Sequence, residues 1–378
     1  MDPGQVARPT FFHAVQGLLL SPMRTSAPTP RRRGGKGPPV TSASRSPSAG
    51  RARLTDVAAL AGVSVGTASK ALNGAGRMRP ETRQRVLDAV ETLGFRPNQN
   101  AQSLHTGRSW TVGLMTTDGI GRFSTPVLLG AEDALGAGKI SVLLCDTRGD
   151  AIREQHHLRN LMDRRVDGII VTGRRTDPRP PLTGVDEIPV VYALSPSTAP
   201  DDTSVVSDDE GGARLAVEHL LATGRTRIAH VTGPAHHAAA RDRARFAADE
   251  LKGAGLELAT GRVHFGEWSE AWGRRATDAV LRTAPDTDAF FCGNDQIARG
   301  VTDALRERGV GVPADIAVVG YDNWDTMALA SRPPLTTIDM SLAEIGRIAA
   351  LRLLEAIDDD LAPGLHTVPC RLVVRESS

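Results

Sequence analysis

The stretch RLTDVAALAGVSVGTASKALN, residues 53–73, constrains this chain more than any other segment. Leu54, Val57, Ala58 and Ala61 recur at the spacing of one helix face, and Gly62 follows where the chain must turn sharply. Ser64 is a natural N-cap for a second helix, in which Ala68 and Leu72 share one side while Gly66, Lys70 and Asn73 mark the other. The small residues Ala58, Ala61 and Gly62 let the two helices approach closely, as a helix-turn-helix requires. Such a unit presents its second helix to the major groove of DNA. Two helices of an ordinary bundle would share this spacing, and the segment that follows argues against them.

The formal net charge of +1 conceals a strong asymmetry. Residues 1–50 carry +6, residues 51–108 carry +5, and the rest of the chain carries −10. A basic head on an acidic body is the electrostatic layout of a protein whose one end meets phosphates. Three widely spaced cysteines, Cys145, Cys292 and Cys370, form neither a metal pattern nor a disulfide framework and suit a reducing compartment. No apolar run reaches membrane-spanning length. The stretch FFHAVQGLLL has too weak a basic flank for an export signal, and a DNA-binding head would be pointless outside the cell. The expected location is the cytoplasm, on the nucleoid.

Residues 1–50, Pro/Ser/Gly/Arg-rich and without apolar periodicity, read as a disordered basic extension. A solvated tail, or a start codon placed too far upstream, is the simpler reading; a basic arm adding nonspecific phosphate attraction is the functional one. From Trp110 onward strands alternate with helices: TVGLMTT, then PVLLGAEDALGAG, ISVLLCD, EQHHLRNLMDRR and VDGIIVTG, with the same rhythm recurring to VVGYD. That alternation predicts right-handed βαβ units and parallel sheets, which bind ligands beyond the carboxyl ends of their strands. The ends to inspect are Thr117–Asp118, Thr172–Gly173, Gly233–Pro234, Asn294–Asp295 and Asp322–Asn323.

The segment that follows, RPETRQRVLDAVETLGFRPNQNAQSLHTGRS, completes a pattern that resembles the LacI/GalR family of transcriptional repressors. The shared residues are Asp56, Val57, Ala58, Ala61, Gly62, Val63, Ser64, Thr67, Ser69, Leu72 and Asn73. They continue through Thr82, Arg83, Val86, Leu93, Gly94, Phe95, Pro97, Asn98, Ala101, Ser103 and Leu104. The resemblance implies a small all-α helix-turn-helix DNA-binding domain followed by an α/β effector domain of two parallel-sheet, periplasmic-binding-protein-like subdomains. The expected boundaries are 51–108 for the head and 109–378 for the effector and dimerisation domain. Within the latter, 109–207 with 338–363 would form one subdomain and 208–337 with 364–378 the other, the chain crossing between them three times around a ligand cleft.

The resemblance also assigns residues. Val65, Gly66 and Lys70 match base-contacting positions; Ser64, Thr67, Ser69 and Asn73 would hold phosphates. Asn98–His105 would be a hinge helix formed on DNA, with Asn98, Ala101, Gln102 and the wedge Leu104 at the minor groove. The implied effector set is Phe123, Tyr192, Arg243, Trp268, Asn294 and Asp322, with Arg241 a rival to Arg243 because the local motif is one residue short. An aromatic platform beside a carboxylate and an amide suits a sugar, and a nucleobase or nucleoside is the alternative, since Phe123 also matches a base-stacking position. Leu194 and Met340 depart from the aspartate and glutamine of some sugar-responsive members.

Other motifs are weaker. GIGRFS (Gly119–Ser124) nearly matches a dinucleotide fingerprint, but Ser stands where a third small glycine should be. His236–His237 lack a third metal ligand and read as a polar loop, and no set of nucleophile, base and orienting group suggests catalysis. The whole reads as a dimeric, ligand-responsive repressor of a pseudo-palindromic operator, without cofactor, metal or membrane partner. Family tetramers use a leucine-rich tail, and this chain stops at CRLVVRESS, so a dimer and nothing larger is expected. A solute-binding protein of the same cleft fold and an NAD-binding enzyme on a doubly wound sheet are the remote rivals.

Overall fold

A computed structural model describes residues 52–72, 78–95, 108–119, 121–136, 140–185, 188–358 and 363–378. The basic extension with its FFHAVQGLLL stretch, Asn73 and the expected hinge segment lie outside them. The chain divides into two compact units, the first ending at Phe95.

The first unit contains three helices, α1 (Leu54–Ala61), α2 (Val65–Leu72) and α3 (Pro80–Leu93). Asp56 reaches back to accept from the Arg53 amide at 2.8 Å, fixing the start of α1. Gly62 ends it at φ 64°, a left-handed conformation that costs glycine least. Ser64 Oγ then accepts from the Thr67 amide at 3.1 Å and caps α2. The core is mostly alanine: Val57, Ala58 and Ala61 pack with Ala68, Ala71, Val86 and Ala89. In α2 the inward pair is Ala68 and Ala71, while Leu72 is only half-buried, because small residues bring the axes close enough to leave the leucine at the rim. Pro80 opens α3, where its missing N–H is harmless, and Gly94 closes it.

The second unit has two lobes. The first holds β1 (Thr111–Thr116), α4 (Ser124–Ala134), β2 (Ser141–Asp146), α5 (Ala151–Asp163), β3 (Gly168–Thr172), β4 (Val190–Ala193) and β5 (Thr203–Ser207). The second holds α6 (Asp209–Ala222), β6 (Ile228–Thr232), α7 (Ala238–Gly253), β7 (His264–Phe265), α8 (Glu270–Thr283), β8 (Ala289–Cys292), α9 (Asp295–Glu307), β9 (Ala317–Tyr321), α10 (Asp325–Ala328) and β10 (Thr336–Asp339). The chain returns to the first lobe for α11 (Leu342–Ile357) and β11 (Gly364–Val368), and ends in β12 (Arg371–Val373) of the second.

The first sheet runs β2-β1-β3-β4-β5-β11, all parallel; the second runs β7-β6-β8-β9-β10-β12, with only β12 antiparallel. Helices on both faces bury whole strands, so β3, β6, β8 and β9 are buried along their full length, His230 of β6 included. In the first lobe α4 and α11 cross at Gly130 and Gly346, each lying where a Cβ would collide with the backbone of the other helix.

Three segments cross between the lobes, at 207–209, 339–342 and 368–371. The return segment therefore sits later than expected at both ends: 336–339 pairs with β9 in the second sheet, and 364–368 pairs with β5 in the first. The sequence pattern misleads here because β10 and β11 are short and their pairing is decided by distant strands. The crossings are tied together: the Asp208 amide donates to Val368 O at 2.9 Å, and Ser341 Oγ donates to Pro369 O at 3.0 Å. One apolar cluster continues from lobe to lobe through Leu194, Tyr321, Met340 and Cys370.

Candidate nucleic-acid interface and ligand cleft

On the first unit, α2 turns Ser64, Val65, Gly66 and Lys70 outward, with Val65 45% exposed, while Thr67 and Ser69 are half-buried. An exposed valine on a short helix beside a lysine is a surface without an internal role. Ser64 Oγ and Thr67 Oγ1 share a hydrogen bond of 2.8 Å, so one of the two hydroxyl protons is spent and the other stays available for a phosphate oxygen. Asn73, Asn98, Ala101, Gln102 and Leu104 lie outside the described residues.

On the second unit, a cavity of about 290 Å³ opens between the lobes. Its walls are the residues just beyond strand ends. Asp118, Arg122 and Phe123 follow β1, Arg174–Asp177 follow β3, Asn294 follows β8 and Asp322 follows β9. Phe123, Arg243, Trp268, Asn294 and Asp322 all line it, as do Leu194 and Met340. Tyr192 does not. Its ring is buried in the core of the first lobe with Met115, Leu158 and Ile169, and its hydroxyl accepts from the Leu182 amide at 2.8 Å. A residue in the middle of β4 faces one side of the sheet by strand alternation, and here that side is the core.

Trp268 is held edge-on by Nε1 donating to His237 Nδ1 at 2.8 Å, and its ring lies against Gly233, where any Cβ would collide with it. Burial lowers the pKa of His237, in the direction of the neutral ring that acceptance of that bond requires. His236–His237 thus serve the loop, and no group of three or more potential metal ligands converges among the described residues.

Arg243, not Arg241, enters the cavity. It is 3% exposed and donates to Asp209 at 2.9 Å and to Gly293 O at 2.7 Å, lies 3.5 Å from Asp322, and stacks over Tyr321. Arg241 stays outside on the carbonyls of Ala235 and His236. Asn294 has two roles at once: Oδ1 caps α9 by accepting from the Ile297 amide at 2.9 Å, while Nδ2 is buried without a partner. Asp322 sits at φ 98° and bridges Arg243 and, at 3.0 Å, Arg122. Burial raises its pKa, and the two guanidinium groups oppose that rise.

Arg122, Arg174, Arg175, Thr176, Asp177 and His237 also line the cavity, and the sequence reading did not assign them. Arg122 lay inside GIGRFS, and Arg174 directly follows a strand end marked for inspection; both were visible signals. The loop itself does not offer a dinucleotide site. Asp118 Oδ2 accepts from the amides of Phe123 and Ser124 at 3.0 Å each, so a carboxylate of the chain already occupies the helix N-terminus that a pyrophosphate would need.

The profile described as "Bacterial regulatory proteins, lacI family" matches residues 53–98, and that of a "Periplasmic binding protein-like domain" matches 217–378. The transcriptional regulator CelR of Thermobifida fusca is 33% identical over 336 residues, covering 86% of this chain and 98% of its own. This chain belongs to the LacI family. A CelR–cellobiose complex superposes on this LacI-family protein with a TM-score of 0.61 at 32% identity, covering 87% of this chain and 100% of the other. The transcriptional repressor PurR of Aliivibrio fischeri (strain ATCC 700601 / ES114) is 33% identical over 313 residues, covering 82% and 92%. The lac repressor dimer bound to operator and an anti-inducer gives a TM-score of 0.69 at 29% identity, covering 87% and 99%. The protein is a helix-turn-helix transcriptional regulator, in which an α/β domain of two parallel-dominated sheets follows the DNA-binding head in sequence.

Proposed function

We propose that this LacI-family regulator is a cytoplasmic, dimeric repressor whose operator affinity is set by a sugar or sugar derivative in the interlobe cleft, and that it is not an enzyme. The observation that carries the ligand reading is one cavity that places the rings of Phe123 and Trp268 beside the unpartnered Asn294 amide and the Asp322 carboxylate. Aromatic faces take the apolar faces of a sugar ring, and fixed polar groups sort its hydroxyls. The volume is at the small end of the ~300–1,000 Å³ range of ligand pockets. Likeness to CelR, with its cellobiose complex, supports the same reading. A nucleobase is the second reading, favoured by likeness to PurR and by the Phe123 ring in the cavity wall, which Arg122 covers at 4.4 Å. Electrophoretic mobility shift on DNA upstream of the gene, with and without a sugar and nucleobase panel, tests both. A complex that no panel member alters counts against effector control by either class.

Base reading falls to Val65, Gly66 and Lys70. Lys70 reaches guanine O6 or N7 as a point charge, Val65 offers a methyl contact to thymine, and Gly66 offers nothing. Lys70→Ala is expected to weaken operator binding by ~1–3 kcal/mol and to relax preference at one position per half-site. Equal losses on operator and random DNA, measured by fluorescence anisotropy, would show that the lysine touches only phosphate.

Two half-sites related by a two-fold axis need two heads, and a single head makes too few contacts for operator affinity. Sedimentation velocity of the free protein is expected to show a dimer. A monomer at micromolar concentration, or a stable tetramer, would contradict this.

A further inference from the structure

We infer that the loop after β3 is a strap that holds the cleft shut, with Asp177 of the first lobe capping helix α7 of the second. The loop, residues 173–181, forms the rim of the cavity, since Arg174 and Arg175 line it and are nevertheless exposed. Asp177 Oδ1 accepts from the Ala238 amide, the first of α7, at 2.8 Å. A helix leaves its first amides without partners of its own, and the side chain just before it commonly answers one of them. The residue before α7 is His237, which makes no such cap because its ring is turned to Trp268. The cap comes instead from the other lobe, 61 residues earlier in the chain. It also brings a carboxylate to the positive end of a 16-residue helix, the arrangement a helix dipole favours.

The strap moves with its own lobe. Ser195 Oγ donates to Asp177 O at 2.7 Å, the Arg179 amide donates to Pro196 O at 2.8 Å, and the Arg179 guanidinium pairs with Glu154 of α5 at 3.0 Å. Pro178, Pro180 and Pro181 fix three further backbone angles. Asp177 is thus a carboxylate on a stiff arm, steadied by Arg175 at 3.2 Å, and it reaches α7 only while the lobes are together. Its neighbour adds no second bond. Arg175 Nη1 lies 3.3 Å from His237 Nε2, but Trp268 donates to Nδ1, so the neutral ring carries its proton on Nε2 and two donors face each other. Arg122 makes a separate tie, pairing with Asp322 and lying over the ring of Trp324. Opening the cleft strips α7 of its cap, so the closed form is favoured by the protein's own atoms whichever ligand the cavity takes. An effector then acts on a balance that the strap has already set.

Pulsed electron–electron resonance on the full-length protein tests this without any ligand. Spin labels go on Ile152→Cys of α5 and Lys252→Cys of α7, both exposed, in a Cys145→Ser background. Labelled chains are diluted with unlabelled ones, so that only distances within one chain are read. Arg122→Gln is included throughout, because removing that separate tie raises the open population into a measurable range. In this parent, Asp177→Ala is expected to shift the ratio of closed to open distances about tenfold towards open, the size of a lost helix cap. Asp177→Asn, whose amide oxygen still accepts from Ala238, is expected to stay close to the parent. If Asp177→Ala melts earlier yet keeps the parent's distances, Asp177 is a helix cap and nothing more, and the strap is overturned. Distances and melting that are both unchanged overturn the cap as well.

Discussion

Replacing Asp322 by alanine is expected to abolish the effector response while leaving operator binding intact. The carboxylate, 5% exposed on its side chain, bridges the Arg122 guanidinium of the first lobe and Arg243 of the second. It is therefore both a wall of the ligand cavity and an electrostatic tie across it. Arg243 retains Asp209 when Asp322 is lost, but Arg122 loses its ion-pair partner. Breaking a buried pair on one side commonly costs ~3–5 kcal/mol, so the variant should also melt earlier. Asp322→Asn keeps the shape and serves as the folded control. Operator binding by anisotropy, with and without effector, separates the outcomes: a variant that still releases or tightens normally on adding ligand would show that the assigned cavity is the wrong one.

The second large effect is a pH dependence centred on Asp295. Its carboxylate is fully buried, hydrogen-bonded to Thr337 Oγ1 at 2.5 Å and to the Trp324 amide at 2.7 Å, and burial next to Asp322 pushes its pKa up to about 8. In the unfolded chain an aspartate ionises near ~3.9. Between these values the folded protein holds a proton that the unfolded chain has released, so stability falls as the pH rises from about 4 towards about 8 and levels off above. Asp295→Asn can accept from Trp324 and donate to Thr337. It is expected to flatten that slope and to gain on the order of 5 kcal/mol over the wild type at alkaline pH, each pKa unit being about 1.4 kcal/mol. Urea unfolding across pH 4–9 measures it. Parallel curves for the two proteins would mean that Asp295 is ionised in the fold.

The head was legible because every signal in it is local. A turn glycine, a capping serine and alanines at helical spacing act within a few residues, and the described helices follow them. The parallel sheets were legible from unbroken apolar runs, and the rule that ligands sit beyond strand ends placed most of the cavity wall. Three things were not. Tyr192 was misplaced because which face of β4 meets the core depends on α5 and on Leu182, both remote in sequence. The return segment shifted because β10 and β11 choose their sheets through pairing with β9 and β5. Arg122 and Arg174 were passed over because an arginine in a loop is usually solvated, and only the folded chain shows one of them pinned between Phe123 and Trp324.

The three crossings between the lobes have a mechanical meaning. Two bodies joined by one tether can twist, slide and swing independently. Joined by three short segments that are hydrogen-bonded to each other, at Asp208 to Val368 and at Ser341 to Pro369, they keep one soft coordinate, a rotation about the line of the crossings. A ligand wedged between Arg122 on one body and Arg243 on the other can then do mechanical work along that single coordinate only. Different molecules that fit the cleft should produce the same movement to different degrees, a graded dial with one axis and not a set of distinct shapes.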